Sequence, residues 1–330
     1  MSLTKPPKTR KDRGIVASIS RVLVGVVLLV VMGAGLWALG VAGQVEGAET
    51  VDAAITAPGH LVTVGDVTLH VREEGRPGQP AVLLIHDFDI TGGRQWLAMT
   101  EALAGYRLII PDMIDFGYST RLEKTDRLQT VIGRAEILAE LLAKLEVPQA
   151  SVVGAGYGGV VAAQLATSRP DLIDRLVLIG AEIYGPQPKW YERFNGWPVL
   201  GEAYSFTVYG ASSNAARRYA LGCETGGWCP DEAAMAEREV TARVRGTTAA
   251  FDALGATPPA TTLPSALSAI TTPTLILWGE NDTVTPLVDG QLLADAIEGA
   301  HLTLVPGTGH RPQLEDPTVT GTFIAEFLSS

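Results

Sequence analysis

The chain has 330 residues, 46% hydrophobic and 18% charged, which supplies apolar material for one large domain and argues against bulk disorder. Net charge is −11, and residues 1–21 alone carry +5, so the rest of the chain stands at −16. That acidity argues against nucleic acid as a partner of the folded part.

Residues 22–43 hold no charged side chain, and a helix of that length rises about 33 Å, enough to cross the hydrocarbon of a bilayer. Lys5, Lys8, Arg10, Lys11, Arg13 and Arg21 precede it, and Glu46, Glu49 and Asp52 follow. Basic residues stay on the cytoplasmic side, so the pattern predicts a single-pass cell-membrane protein. Residues 1–21 are then a basic cytoplasmic tail and 22–43 a transmembrane signal anchor. Residues 44–58 read as an acidic, Ala/Thr-rich linker and 59–330 as a folded extracytoplasmic domain. A cleaved signal peptide is the alternative, although its apolar region usually runs only about 7–15 residues.

Past the linker, residues 60–74 alternate apolar and polar about Gly65-Asp66, a hairpin signal. Residues 81–86 are a continuous run of the kind found in strands buried on both faces. A helix over 95–103, a buried strand over 106–111 and a helix over 128–145 follow. Ala150-Ser151-Val152-Val153 then runs into Gly154-Ala155-Gly156-Tyr157-Gly158-Gly159: a strand, a very tight turn, and a helix packed close behind it. Strands at 176–179, 274–278 and 301–305 alternate with helices near 286–297 and 318–328. That order predicts an α/β fold, a mostly parallel sheet flanked by helices.

Residues 184–271 break the rhythm. They are rich in aromatics, Trp190, Tyr191, Phe194 and Phe206 among them, and close in a Pro/Thr/Ala stretch. They predict a helical cap inserted between two core strands. Its aromatics either form the cap's own small core or face a pocket or partner. Cys223 and Cys229 fall inside it and predict a loop-closing disulfide in an oxidising compartment. Two cysteines are too few ligands for a zinc site, and no metal is expected.

Five segments carry the chemistry. They are Leu83-Leu84-Ile85-His86-Asp87-Phe88-Asp89, the turn from Pro111 to Ser119, the glycine-rich turn about Gly156, the strand ending in Asp282, and Gly307-Thr308-Gly309-His310. In this order they resemble the α/β-hydrolase superfamily, with the glycine-rich turn in the place of its nucleophile elbow, G-x-S-x-G. The resemblance covers about 60–328. It implies a nucleophile, an acid, a histidine and backbone donors for an oxyanion. Asp282 and His310 match the acid and the histidine, a residual dyad that either orients a base or simply ties two loops together. The nucleophile position is Gly156, which has no side chain. The oxyanion loop, where the family has glycine after its histidine, reads His86-Asp87-Phe88-Asp89. A carboxylate there would repel a developing oxyanion. His86, Asp87 and Tyr157 are candidate binding residues at the mouth of the site.

These departures predict a protein that no longer performs serine hydrolysis. Its expected role is that of a binding or structural accessory subunit of a membrane complex, engaged through the transmembrane helix and the cap, with no cofactor. The alternative is an enzyme, a hydrolase or lyase in which the Asp282–His310 pair serves as general base on a small apolar substrate beneath the cap.

Overall fold

In the computed structural model, which describes residues 10–185, 206, 229–257 and 262–330, the amino-terminal run lies in one long helix, α1 (Arg10–Ala48). Within α1, Arg21–Val45 forms a 25-residue span of mean hydropathy 2.6, long and apolar enough to cross a membrane. Large side chains such as Leu28, Leu29 and Leu36 point outward from it. Residues 44–58, read from the sequence as a linker, begin as the last turn of α1 and include a short helix, α2 (Ala53–Thr56), capped by Asp52.

The folded domain is built on one eight-stranded sheet. The hairpin about Gly65-Asp66 is β1 (His60–Val64) and β2 (Val67–Glu74), paired antiparallel. β3 (Ala81–Ile85) explains its unbroken apolar sequence. Leu83 and Ile85 enter the core on one face of the sheet, Val82 and Leu84 the core on the other. After β4 (Arg107–Pro111) and α3 (Val131–Lys144) comes β5 (Ala150–Ala155), with Val152 on the first face and Val153 on the second. α4 (Tyr157–Ser168) leads to β6 (Ile173–Ile179). The insertion follows, and its described part includes α5 (Glu232–Ala242) and α6 (Thr247–Gly255). The chain then completes β7 (Thr274–Gly279), α7 (Leu287–Ala296), β8 (His301–Val305) and α8 (Pro317–Ser329). Spatial order is β1-β2-β4-β3-β5-β6-β7-β8, parallel from β4 onward.

Helices cover both faces. Leu138 and Leu141 of α3 and Val161 and Leu165 of α4 pack on one, with Leu293 of α7. Trp96 and Met99, from the 3-10 turn Gly92–Met99, pack on the other with Ile324 and Leu328 of α8. The crossing from β5 into α4 places residue 156 at the carboxyl edge of the sheet, where the loops after β3, β6, β7 and β8 converge.

The turn after β4 is held by one buried carboxylate. Asp112 accepts from His70 Nδ1 at 2.7 Å, Tyr118 N at 2.8 Å and Gly93 N at 2.7 Å. Burial works to raise its pKa, but the His70 hydrogen bond and the His70 and Arg72 charges outweigh it and hold the carboxyl below its ordinary value. Asp112→Ala strands three buried donors and should cost about 3–5 kcal/mol, the scale of breaking a buried pair. Urea unfolding of the full chain in detergent should show that loss in the midpoint with the slope unchanged, and a loss below about 1 kcal/mol would refute the assignment.

Candidate active site

Gly156 joins β5 to α4 with φ 52° and ψ −119°, and its amide donates to Ile179 O at 2.9 Å across the sheet. A residue with a side chain adopts such a conformation at a cost of roughly 1–3 kcal/mol, whereas glycine takes it freely. The elbow therefore keeps its backbone shape with nothing at its tip.

The space above it is filled from the loop after β3. Asp87 is 3% exposed, and its Oδ1 accepts from Phe88 N at 2.6 Å and Tyr157 N at 3.0 Å. Those are the amide after the elbow residue and the amide in the oxyanion loop, the pair a serine hydrolase of this pattern would aim at an oxyanion. A Cβ built on Gly156 would lie only 2.5 Å from Asp87 Cγ, well inside van der Waals contact. The carboxylate thus takes both the oxyanion position and the space of the missing side chain.

Asp282 and His310 meet as the sequence suggests. His310 Nδ1 lies 3.0 Å from Asp282 Oδ2, and the Asp282 carboxylate is fixed by Val284 N at 2.8 Å, Thr285 N at 2.9 Å and the Thr285 hydroxyl at 2.6 Å. On the other side of the ring, His310 Nε2 faces Glu182 Oε1 at 3.4 Å. Burial disfavours the imidazolium. Hydrogen bonds to Asp282 and Glu182, with the Asp87 and Asp282 charges, overcome it and raise the pKa to about 10. The three carboxylates around the ring thus favour its imidazolium form, which suits it to act as an acid more than as a base.

Two of these partners were not found from the sequence. Glu182 lies just past β6, and its amide donates to Gly156 O at 3.3 Å. Arg311 places Nε 3.3 Å from Asp87 Oδ2 and Nη1 3.4 Å from Asp89 Oδ2. Two acids in the oxyanion loop were the available signal that a cation had to sit nearby.

His86 and Tyr157, expected as binding residues, do not line the cavity with their side chains. His86 is fully buried, its Nδ1 donating to Asp87 O at 2.6 Å and its Nε2 accepting from Met113 N at 2.9 Å. Both nitrogens serve the backbone, and burial holds its pKa below the ordinary value. Tyr157 contributes its amide, while its ring packs edge-on to Phe88 with centroids 6.1 Å apart. Cys229 is disulfide-bonded, and its expected partner Cys223 lies outside the described residues, as do Trp190, Tyr191 and Phe194.

The cavity over the dyad has a volume of about 360 Å³ and is lined by Asp87, Phe88, Glu182, His310, Arg311 and Glu315, with Val284 at its edge. Asp87, Glu182 and His310 bring polar atoms within 4.8 Å of one another, but a protonated imidazole has no lone pair for a metal, and Arg311 already supplies positive charge beside Asp87.

A family model described as the alpha/beta hydrolase fold matches residues 77–317. The chain belongs to the α/β-hydrolase family. A 2-hydroxymuconate semialdehyde hydrolase of Pseudomonas sp. (strain CF600) is 28% identical over 251 residues, 73% of this chain and 83% of that protein. Among solved structures, a hydrolase from Pseudomonas aeruginosa PA01 is 26% identical with a TM-score of 0.65, covering 83% of this chain and all of that one. A bacterial membrane phospholipase A shares the fold at 24% identity and a TM-score of 0.62, over 94% of this chain and 98% of that one. Membership in the family establishes the fold and does not by itself establish the chemistry of the site.

Proposed function

We propose that this α/β-hydrolase family member is a membrane-anchored, extracytoplasmic domain that does not perform serine hydrolysis and acts as a binding or structural accessory subunit of a membrane complex. The observation that carries the reading is the Asp87 carboxylate bonded to both oxyanion amides above a side-chain-free Gly156. The anchor reading is supported by the apolar span in α1 and by the basic residues that precede it. The charged lining of the cavity suits a polar ligand better than the small apolar one that the cap suggested.

The second reading is an enzyme, favoured by the hydrolase names of the relatives and by an intact Asp282–His310 contact. With the imidazole held as a cation, that enzyme would use His310 to donate a proton or to hold an anion, not to activate water. The full chain and its His310→Ala variant, tested on a panel of esters and epoxides and with a fluorophosphonate probe, separate the two. Neither labelling nor turnover is expected. Turnover that disappears with His310→Ala would establish the enzyme instead.

A further inference from the structure

The foot of α1 is fastened to the cap at several points. Glu49, the residue after α1, accepts from Gly246 N at 2.9 Å, from Thr248 N at 2.7 Å and from the Thr248 hydroxyl. Its charge thereby meets the open amides at the start of α6, where a carboxylate is stabilised. Val51 and Val244 form a parallel bridge, with Val51 N donating to Arg243 O at 2.9 Å and Arg245 N to Val51 O at 3.1 Å. Asp52 pairs with Arg245 at 2.6 Å. Higher on the helix, Val41 and Phe206 of the cap bury one another, each 7% exposed, with Val45 and Ala48 packed against them.

The depth of these contacts follows from the helix itself. The 25-residue apolar span rises about 37 Å, more than the ~30 Å of hydrocarbon it has to cross. Val41 and Val45 sit in its last turn, so Phe206 touches the helix at the edge of the hydrocarbon. Residues 49–52 lie within about 14 Å of Ala48 even when fully extended, the region of the headgroups. Near this foot the domain exposes Ile55, 85% accessible and seven residues past the end of α1, and Leu61, 39% accessible. Leu61 joins Val51, Ala53, Ala54 and Val244 in a groove of about 290 Å³ between the foot and the domain. Arg245 lines it as well, its guanidinium paired with Asp52.

We propose that the foot of the domain carrying Ile55 and Leu61 rests in the interfacial layer of a phospholipid bilayer, so that the domain, clamped to α1 by the contacts above, sits on the membrane in one orientation and does not swing on a tether. The proposal rests on the anchor reading above. Its occupant is the bilayer surface, because Ile55 follows within seven residues of the end of the helix that enters the bilayer.

The test uses the full chain in phosphatidylcholine–phosphatidylglycerol vesicles, with an environment-sensitive fluorophore on Ile55→Cys or, as reference, on Leu292→Cys. Leu292 is exposed on α7, which packs against β7 and β8 at the opposite edge of the sheet from β1. The Ile55 label should be quenched several-fold more than the Leu292 label by doxyl-labelled phosphatidylcholine, and several-fold less by iodide. Glu49→Ala combined with Asp52→Ala removes the acceptor of three donors and the partner of Arg245, and should reduce that contrast several-fold. Vesicle flotation reads the anchor separately. A chain that floats but shows equal iodide quenching at both labels overturns the seating alone, and so does a contrast that survives loosening of the clamp. A chain that does not float overturns the anchor reading and the seating with it.

Discussion

Gly156→Ser introduced together with Asp87→Gly is expected to raise ester turnover at least about 10²-fold above Gly156→Ser alone, the scale of one oxyanion donor. The single variant should stay within about tenfold of background, because three conditions remain unmet. Asp87 still holds Phe88 N and Tyr157 N, so no free amide faces a developing oxyanion. Any Cβ at 156 collides with the Asp87 carboxylate. The imidazole beside the new hydroxyl is protonated and cannot take its proton. Removing Asp87 frees both amides and the space at 156, and it weakens the third obstacle only in part, since the Asp282 and Glu182 hydrogen bonds that raise the His310 pKa more than the Asp87 charge does remain. The single variant should also be less stable by about 1–3 kcal/mol, from the positive φ that glycine tolerates and serine does not. Hydrolysis of a nitrophenyl ester and fluorophosphonate labelling measure the outcome. Robust activity from Gly156→Ser alone would show that Asp87 leaves the oxyanion position readily, against the geometry.

Stability should fall steadily as pH rises from about 6.5 to about 10, and His310→Gln should remove most of that dependence. The folded pKa of His310, about 10, lies above the unfolded value of 6.5. A group raised on folding stabilises the native state fully below its unfolded pKa, and the contribution is lost as pH climbs through the folded one. The shift corresponds to something on the order of 4–5 kcal/mol at full protonation, and the side chain is only 12% exposed, so solvent screens it little. Urea midpoints of the full chain in detergent at several pH values read the slope directly. A flat profile for the unmodified chain would mean that the ring is neutral and that the three carboxylates do not share its charge.

Much of the fold was legible in the sequence because its strands are of a kind that leaves a trace. β3 and β5 are buried on both faces and therefore read as unbroken apolar runs, and the glycines around 156 marked the sharp turn between β5 and α4. Asp282 and His310 were legible by order and spacing. Arg311 and Glu182 were not, since their partners lie far off in the chain; Arg311 meets Asp89 across 222 positions. His86 was misjudged for a local reason. Its place at the end of β3 suggested the site, but the carbonyl of Asp87 and the amide of Met113 claim both its nitrogens, and only coordinates decide between a backbone partner and a cavity. Residues 44–58 have the composition of a flexible tether, and the contacts of Glu49 and Asp52 with 243–248 depend on a cap that no local pattern describes.

The overlap between residue 156 and the carboxylate at 87 makes the two positions energetically dependent on each other. Any side chain at 156 obliges the acid to turn away from the amides of Phe88 and Tyr157. A double-mutant cycle across the pair is therefore expected to be strongly non-additive, each substitution changing what the other one costs.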